Sequence, residues 1–165
     1  PETAFPLVLN KNNNLNQKLL KLSFNISIVF GSLYEKDGLY YNSTYFYDKG
    51  NLELAHKVVL VPFGEAVPMP EQIRNFINNI FYNGAEDYET AKAATTFTIK
   101  NIKFRNAICY EITRDEIYQN LDTPYIIAIS NNAWFTPSIE PTLQKLLMQY
   151  YAKKYKVKYF HVTNK

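Results

Sequence analysis

The chain has 165 residues, 47% of them apolar, which fits one domain with a sizeable core and excludes a disordered tail. Its formal charge of +3 comes without a dense basic stripe, so nucleic acid is not an expected partner. One cysteine excludes an intramolecular disulfide framework, and with only two histidines, His56 and His161, it argues against a dedicated zinc site.

In chain order, Lys11-Asn-Asn-Asn14 reads as a surface loop leading into a helix with Leu15, Leu19 and Leu22 on one face. Residues 24–30 alternate apolar and polar, as a strand does, and 39–47 read as a second strand. Asp37-Gly38 between them is a hairpin signal, and Asp48-Lys-Gly-Asn51 turns the chain into a third strand over 52–61. Pro62 and Gly64 then shape a loop ending at Glu65. Pro70 opens a helix that buries Ile73, Phe76, Ile77, Ile80 and Phe81 and stops at Asn83-Gly84. Strands follow at 94–100 and 104–109. Thr113-Arg-Asp-Glu116 has the form of a capping box and predicts a short helix. A strand at 125–130 leads into a polar and aromatic loop over 131–137. Pro141 opens the last helix, with Leu143, Leu146, Leu147 and Tyr150 as its expected buried stripe. A strand at 157–163 closes the chain. Early hairpins followed by strand–helix alternation mean an α/β fold with mixed sheets. No apolar run approaches the ~18 residues that span a bilayer. The chain opens on Pro1 rather than an initiator Met, as a processed or excised piece would.

Cys109 sits at the end of a strand and just before a turn, with Tyr110 and Glu111 directly after it. A nucleophile at such a turn lies near backbone N–H groups able to stabilise an oxyanion. A lone cysteine at a strand end is also commonly an inert small hydrophobe, and the neighbouring segments decide between the two.

Three segments, Pro1-Glu-Thr-Ala-Phe-Pro6, His56-Lys-Val-Val-Leu-Val-Pro-Phe-Gly-Glu65 and Ile108-Cys-Tyr-Glu111, resemble the nitrilase (carbon–nitrogen hydrolase) superfamily, whose members use a Glu–Lys–Cys triad. With YNS at 41–43, SNNAWF at 130–135 and TN at 163–164, their order is similar to that in the apolipoprotein N-acyltransferase family. The resemblance covers nearly the whole chain. It implies an αββα sandwich with mixed sheets, formed as a partial domain by residues 1–165. It implies catalytic roles for Glu2, Lys57 and Cys109, with Glu65 orienting Lys57 or the incoming amine. Supporting roles fall to Tyr110 and Glu111, and Trp134 lies in a loop that would wall the site or touch an acyl chain. The implied reaction is acyl transfer through a Cys109 thioester, from a phospholipid donor to the N-terminal amine of a diacylglyceryl-cysteine on an apolipoprotein. The implied setting is the periplasmic face of a bacterial inner membrane, reached through segments outside this chain, and no cofactor or metal is expected. A small-molecule amidase or nitrilase is the alternative, and a non-catalytic lipid- or partner-binding piece is a third.

The sequence departs from the family's pattern at Asn132, where Asp is usual, and at Ala66, where Tyr is usual; its late Lys/Tyr-rich stretch replaces an Arg-rich one. Those lysines could meet anionic headgroups or simply face water. The family's flanking transmembrane helices and the strand before Glu2 have no counterpart here, so Glu2 is expected to be loose at the N-terminus. The triad logic further predicts a thiol pKa lowered by ~2 by the Lys57 ammonium, worth about 2.7 kcal/mol.

Overall fold

A computed structural model of the chain describes residues 1–62, 64–65, 88–135 and 137–164. The helix expected from Pro70 falls outside them. In order, the elements are β1 (Phe5–Val8), α1 (Asn13–Leu22), β2 (Ile28–Lys36), β3 (Leu39–Asp48), β4 (Asn51–His56), β5 (Thr96–Ile99), β6 (Ile102–Ile108), β7 (Tyr125–Asn131), α2 (Glu140–Tyr155) and β8 (Lys158–Asn164). Short 3-10 turns occupy Leu9–Lys11, Cys109–Thr113, Asp115–Tyr118 and Asn132–Phe135.

The strands form two four-stranded sheets, ordered β1-β2-β3-β4 and β5-β6-β7-β8. Both are mixed: β1 runs parallel to β2 while β2, β3 and β4 form antiparallel hairpins. In the second sheet β5–β6 is a hairpin, and β6, β7 and β8 are parallel. Three hairpins turn on residue pairs with positive φ, namely Asp37-Gly38, Lys49-Gly50 and Lys100-Asn101. That backbone twist matches the right-handed twist of the flanking strands, which holds each register.

Among the described residues four buried clusters follow from this layering, a small one around Ile108, Cys109 and Ile129 and three larger ones. Phe30, Tyr45 and Tyr47 on the outer face of the first sheet bury against Leu9 and the α1 residues Leu15 and Leu19. Phe46, Ala55 and Phe97 lie between the sheets with Val29 and Ile99. Ala107, Ile126 and Ala128 on the second sheet bury beneath Met148 of α2. The architecture is the expected αββα sandwich. Among the described residues no helix is long and apolar enough to cross a membrane.

Several local expectations give way to tertiary contacts. The strand expected from residue 24 begins at Ile28. Residues 23–27 instead form the turn that follows α1: Ser23 accepts the Lys49 and Gly50 N–H groups through its carbonyl and hydroxyl, and Ser27 bonds Asp48. Leu22, at the last residue of α1, is exposed. β4 ends at His56 rather than 61: Lys57 adds one more backbone pair with β3, and the Val58 and Val59 N–H groups then turn to a buried carboxylate. The Thr113 capping box does not form; its hydroxyl donates to the Tyr110 carbonyl, and Arg114 pairs with Glu116 beside a single 3-10 turn.

The largest correction concerns α2. Leu143, Leu146, Leu147 and Tyr150, the expected buried stripe, are 43–57% exposed. Gln144 and Met148 face inward instead. Tyr118 explains part of this choice: its ring stacks on Tyr151 at 4.7 Å and on Tyr155 at 5.0 Å, fixing the helix by its aromatic side. Aromatic pairs at such spacing add to the area they bury. Of the late tyrosines, Tyr151, Tyr155 and Tyr159 pack inward and Tyr150 does not.

Candidate active site

The site forms where the ends of β3, β4 and β6 meet the N-terminal segment. Lys57 directly follows β4, and its N–H donates to the Asn42 carbonyl at 2.9 Å, which continues the β3–β4 ladder by one pair. Cross-strand partners share a face, so the Lys57 and Asn42 side chains emerge together. Lys57 is fully buried.

Glu2 is not loose. Its N–H donates to the Ser130 carbonyl at 3.3 Å, and the Pro1 carbonyl accepts from the Gly31 N–H at 2.9 Å. The segment is thereby threaded between β2 and β7. Glycine at 31 permits this, since a Cβ there would lie 2.8 Å from the Glu2 Cα and 2.9 Å from the Ile129 side chain. The buried Glu2 carboxylate accepts from Asn42 Nδ2 at 2.7 Å and lies 3.9 Å from Lys57 Nζ.

Glu65 completes the charge cluster. Its two oxygens lie 2.9 and 2.7 Å from Lys57 Nζ. The same carboxylate accepts from Asn42 Nδ2 at 2.8 Å and from the Val61 N–H at 2.9 Å. One ammonium therefore faces two carboxylates, and the Asn42 amide bridges them. Burial works to lower the Lys57 pKa, but Glu65 and then Glu2 outweigh it and hold it raised and cationic. The YNS motif was the only sequence signal for Asn42, and it assigned the residue no role.

Cys109 begins a 3-10 turn at the end of β6 with φ 52°, in the left-handed region that a non-glycine residue seldom adopts. Such backbone strain concentrates at functional sites. The Glu2 carboxylate and the Asn131 N–H are near enough to act electrostatically on its thiol. On another side the Gln144 Nε2 approaches Sγ at 3.9 Å. The expectation of a lowered thiol pKa is overturned. Burial first, and then the Glu2 charge, push it up to about 12, against the downward pull of Lys57. The ammonium is already matched by two acids, so it cannot also hold a resting thiolate.

Glu111 is not a surface charge. It is buried and accepts from the N–H groups of Val58, Val59 and Ile108, the last two at 3.0 and 2.7 Å. It thus ties the backbone just after Lys57 to the backbone just before Cys109. Burial raises its pKa to about 7 even though Ile108 N–H and Lys57 pull the other way. The Tyr110 hydroxyl accepts from Arg114 at 3.2 Å, so its side chain meets the arginine rather than the three charged residues. Trp134 belongs to the Asn132–Phe135 turn, and its side chain lies outside the described residues. His56 rests between Tyr34 and Tyr41, with Ser43 on its Nδ1. Among the described residues no cluster of His, Cys, Asp or Glu is arranged to hold a metal ion.

Chemically, the arrangement pairs a neutral buried thiol with an adjacent carboxylate able to take its proton, and sets a fixed cation beside both. That suits attack on a carbonyl with the proton leaving as the bond forms.

Comparisons with known proteins bear on the family and the fold. A sequence profile of the carbon–nitrogen hydrolase family matches residues 18–157. The apolipoprotein N-acyltransferase of Wolinella succinogenes is 45% identical over 100% of this chain and 40% of its own length. That of Helicobacter pylori is 41% identical over 99% of this chain and 39% of its own. The chain thus spans about two-fifths of the length of these curated relatives. Among solved structures, a CN-hydrolase superfamily protein from Xanthomonas campestris superposes with TM-score 0.65 at 15% identity, over 88% of this chain and 51% of that one. A nitrilase-superfamily amidase from Nesterenkonia superposes with TM-score 0.67 at 10% identity, over 95% and 55%. At such identities these two bear on the fold alone.

Proposed function

Because the chain belongs to the carbon–nitrogen hydrolase family, we propose that it is the catalytic domain of an apolipoprotein N-acyltransferase. In this reading it works within a longer, membrane-anchored protein on the periplasmic face of a bacterial inner membrane. The acyl donor is a phospholipid, and the acceptor is the α-amine of a diacylglyceryl-cysteine at a lipoprotein N-terminus.

Glu2, Lys57 and Cys109 carry the reaction. Releasing a thiol proton of pKa about 12 at pH 7 costs about 7 kcal/mol. A free thiolate is therefore not the resting nucleophile. Glu2 takes the proton as Sγ bonds to the ester carbonyl carbon. The Lys57 ammonium and the Tyr110 backbone N–H face the oxyanion that develops. The C–O bond then breaks, and Glu2 returns its proton to the lysophospholipid alkoxide. In the second half the amine attacks the thioester, Glu2 accepts one N–H proton, the C–S bond breaks and the thiol is re-formed. Glu65 and Asn42 hold Lys57 and Glu2 in place throughout, and Glu111 fixes the two backbone segments that carry Lys57 and Cys109.

The observation that carries the reading is the buried Cys109 thiol beside Glu2, in a chain that matches named N-acyltransferases along its whole length. The test is mass spectrometry of the full-length protein incubated with phospholipid. An acyl adduct on Cys109 that disappears in Cys109→Ala is the expected result. Ammonia release from a small amide, with no lipid adduct, would move the assignment to a small-molecule hydrolase.

A further inference from the structure

Gln144 stands out among the buried side chains that the mechanism leaves unused. It is 3% exposed, on the face of α2 that also buries Met148. Its Nε2 lies 3.9 Å from the Cys109 sulfur, and its Oε1 has no partner among the described residues. One helical turn earlier, on the same face, Glu140 has an Oε2 that is shut off from solvent and likewise unpartnered. Burial raises its pKa. Two buried acceptor oxygens without donors, one on a side chain touching the nucleophile, are costly unless a ligand supplies the donors. The helix could have buried Leu143 or Leu147 here without that cost, yet both face outward.

We propose that Gln144 and Glu140 form the acceptor-amine subsite, resting on the acyl-transfer reading above. The acyl carbon of a thioester is bonded to Sγ, so an attacking nitrogen stands within reach of a side chain that touches the sulfur. A primary amine brings two N–H groups to the attack. One proton passes to Glu2; the other hydrogen stays in the amide product and donates to Gln144 Oε1. That bond aims the nitrogen lone pair at the carbonyl. Glu140, nearer the start of the helix, receives the amine as its ammonium, takes up the third N–H proton and passes it to solvent, leaving the neutral amine to attack. The cluster around Lys57 already satisfies its own charges through Glu65, Glu2 and Asn42, so acceptor recognition falls to the α2 side of the sulfur.

The test separates the two half-reactions in the full-length protein. Acyl-enzyme is formed with phospholipid, then chased with a short peptide bearing an N-terminal diacylglyceryl-cysteine, or with buffer alone. Gln144→Met keeps the packing volume, and acyl-enzyme formation reports that the variant is folded. Acylation is expected to fall no more than about threefold. Aminolysis is expected to slow at least tenfold, with a raised KM for the peptide, while loss of the acyl group to water changes less. Glu140→Gln is expected to raise the same KM with a smaller effect on kcat. Equal slowing of both half-reactions, or unchanged aminolysis, would overturn the subsite and leave the thioester mechanism standing. Absence of any acyl-enzyme in the unmodified protein would remove both proposals together.

Discussion

Replacing Glu2 by Gln separates two reactions of Cys109 that a thiolate mechanism would keep together. With the thiol pKa near 12, the thiolate fraction at pH 8 is ~10⁻⁴, against ~10⁻¹ for a thiol at its ordinary 9.0. The more basic sulfur is intrinsically more nucleophilic by about 20-fold, so alkylation is expected ~50-fold slower than for a free cysteine. Removing the Glu2 charge leaves Lys57 facing the sulfur with one acid fewer. A unit charge at contact is worth at most about 4 kcal/mol at an effective dielectric constant of 20. A fall of about 1–2 in the thiol pKa is a conservative share of that. Net of the lost nucleophilicity, alkylation should rise roughly 3- to 10-fold. Acyl transfer should fall by a factor of 10² or more, because the proton acceptor is gone. The assay is the rate of iodoacetamide labelling against pH for both proteins, beside acyl-adduct formation from phospholipid. Limited access to the buried sulfur cancels in the ratio of variant to parent. Slower labelling of Glu2→Gln, or a parent thiol that titrates near neutrality, would refute the reasoning.

Three further outcomes follow from the same geometry. Glu65→Ala strips the buried Lys57 of its nearest partner, and urea denaturation should show a loss of about 3–5 kcal/mol. Glu111 holds its proton up to about pH 7 in the fold but loses it near 4.5 when unfolded. Folding therefore takes up a proton between those values, and the residue's contribution to stability falls by about 3 kcal/mol as pH rises across the window. Urea midpoints at pH 5 and 7.5 should show that slope in the parent protein and lack it in Glu111→Gln. Gly31→Ala sets a methyl group 2.8 Å from the Glu2 Cα, so it should displace Glu2 and reduce acyl-adduct formation at least tenfold. Unchanged activity in that variant would mean that the Glu2 segment can shift without penalty.

The first two hairpins were legible because their signals are local; the third, at Lys100-Asn101, was not foreseen. Asp37-Gly38 and Lys49-Gly50 take positive φ readily, and strand alternation needs only neighbouring residues. The motif order likewise pointed to Glu2, Lys57, Glu65 and Cys109, which the structure brings together. Side-chain partnerships between distant segments were not legible. Nothing in YNS says that Asn42 bridges two carboxylates, and nothing in CYE says that Glu111 accepts from both sides of the site.

What the sequence determined by itself was therefore the α/β alternation and the early tight turns, since each depends on residue type and short spacing; the acid, amine and sulfur were implied only by the resemblance of motifs spread along the whole chain. Tertiary structure alone decided which face of α2 is buried and whether Cys109 rests as thiol or thiolate. Helical periodicity favours the leucine face, but the stacked tyrosines and the sulfur select Gln144 and Met148. A protonation state sums burial and charge from segments far apart in the chain, and that sum exists only once they meet.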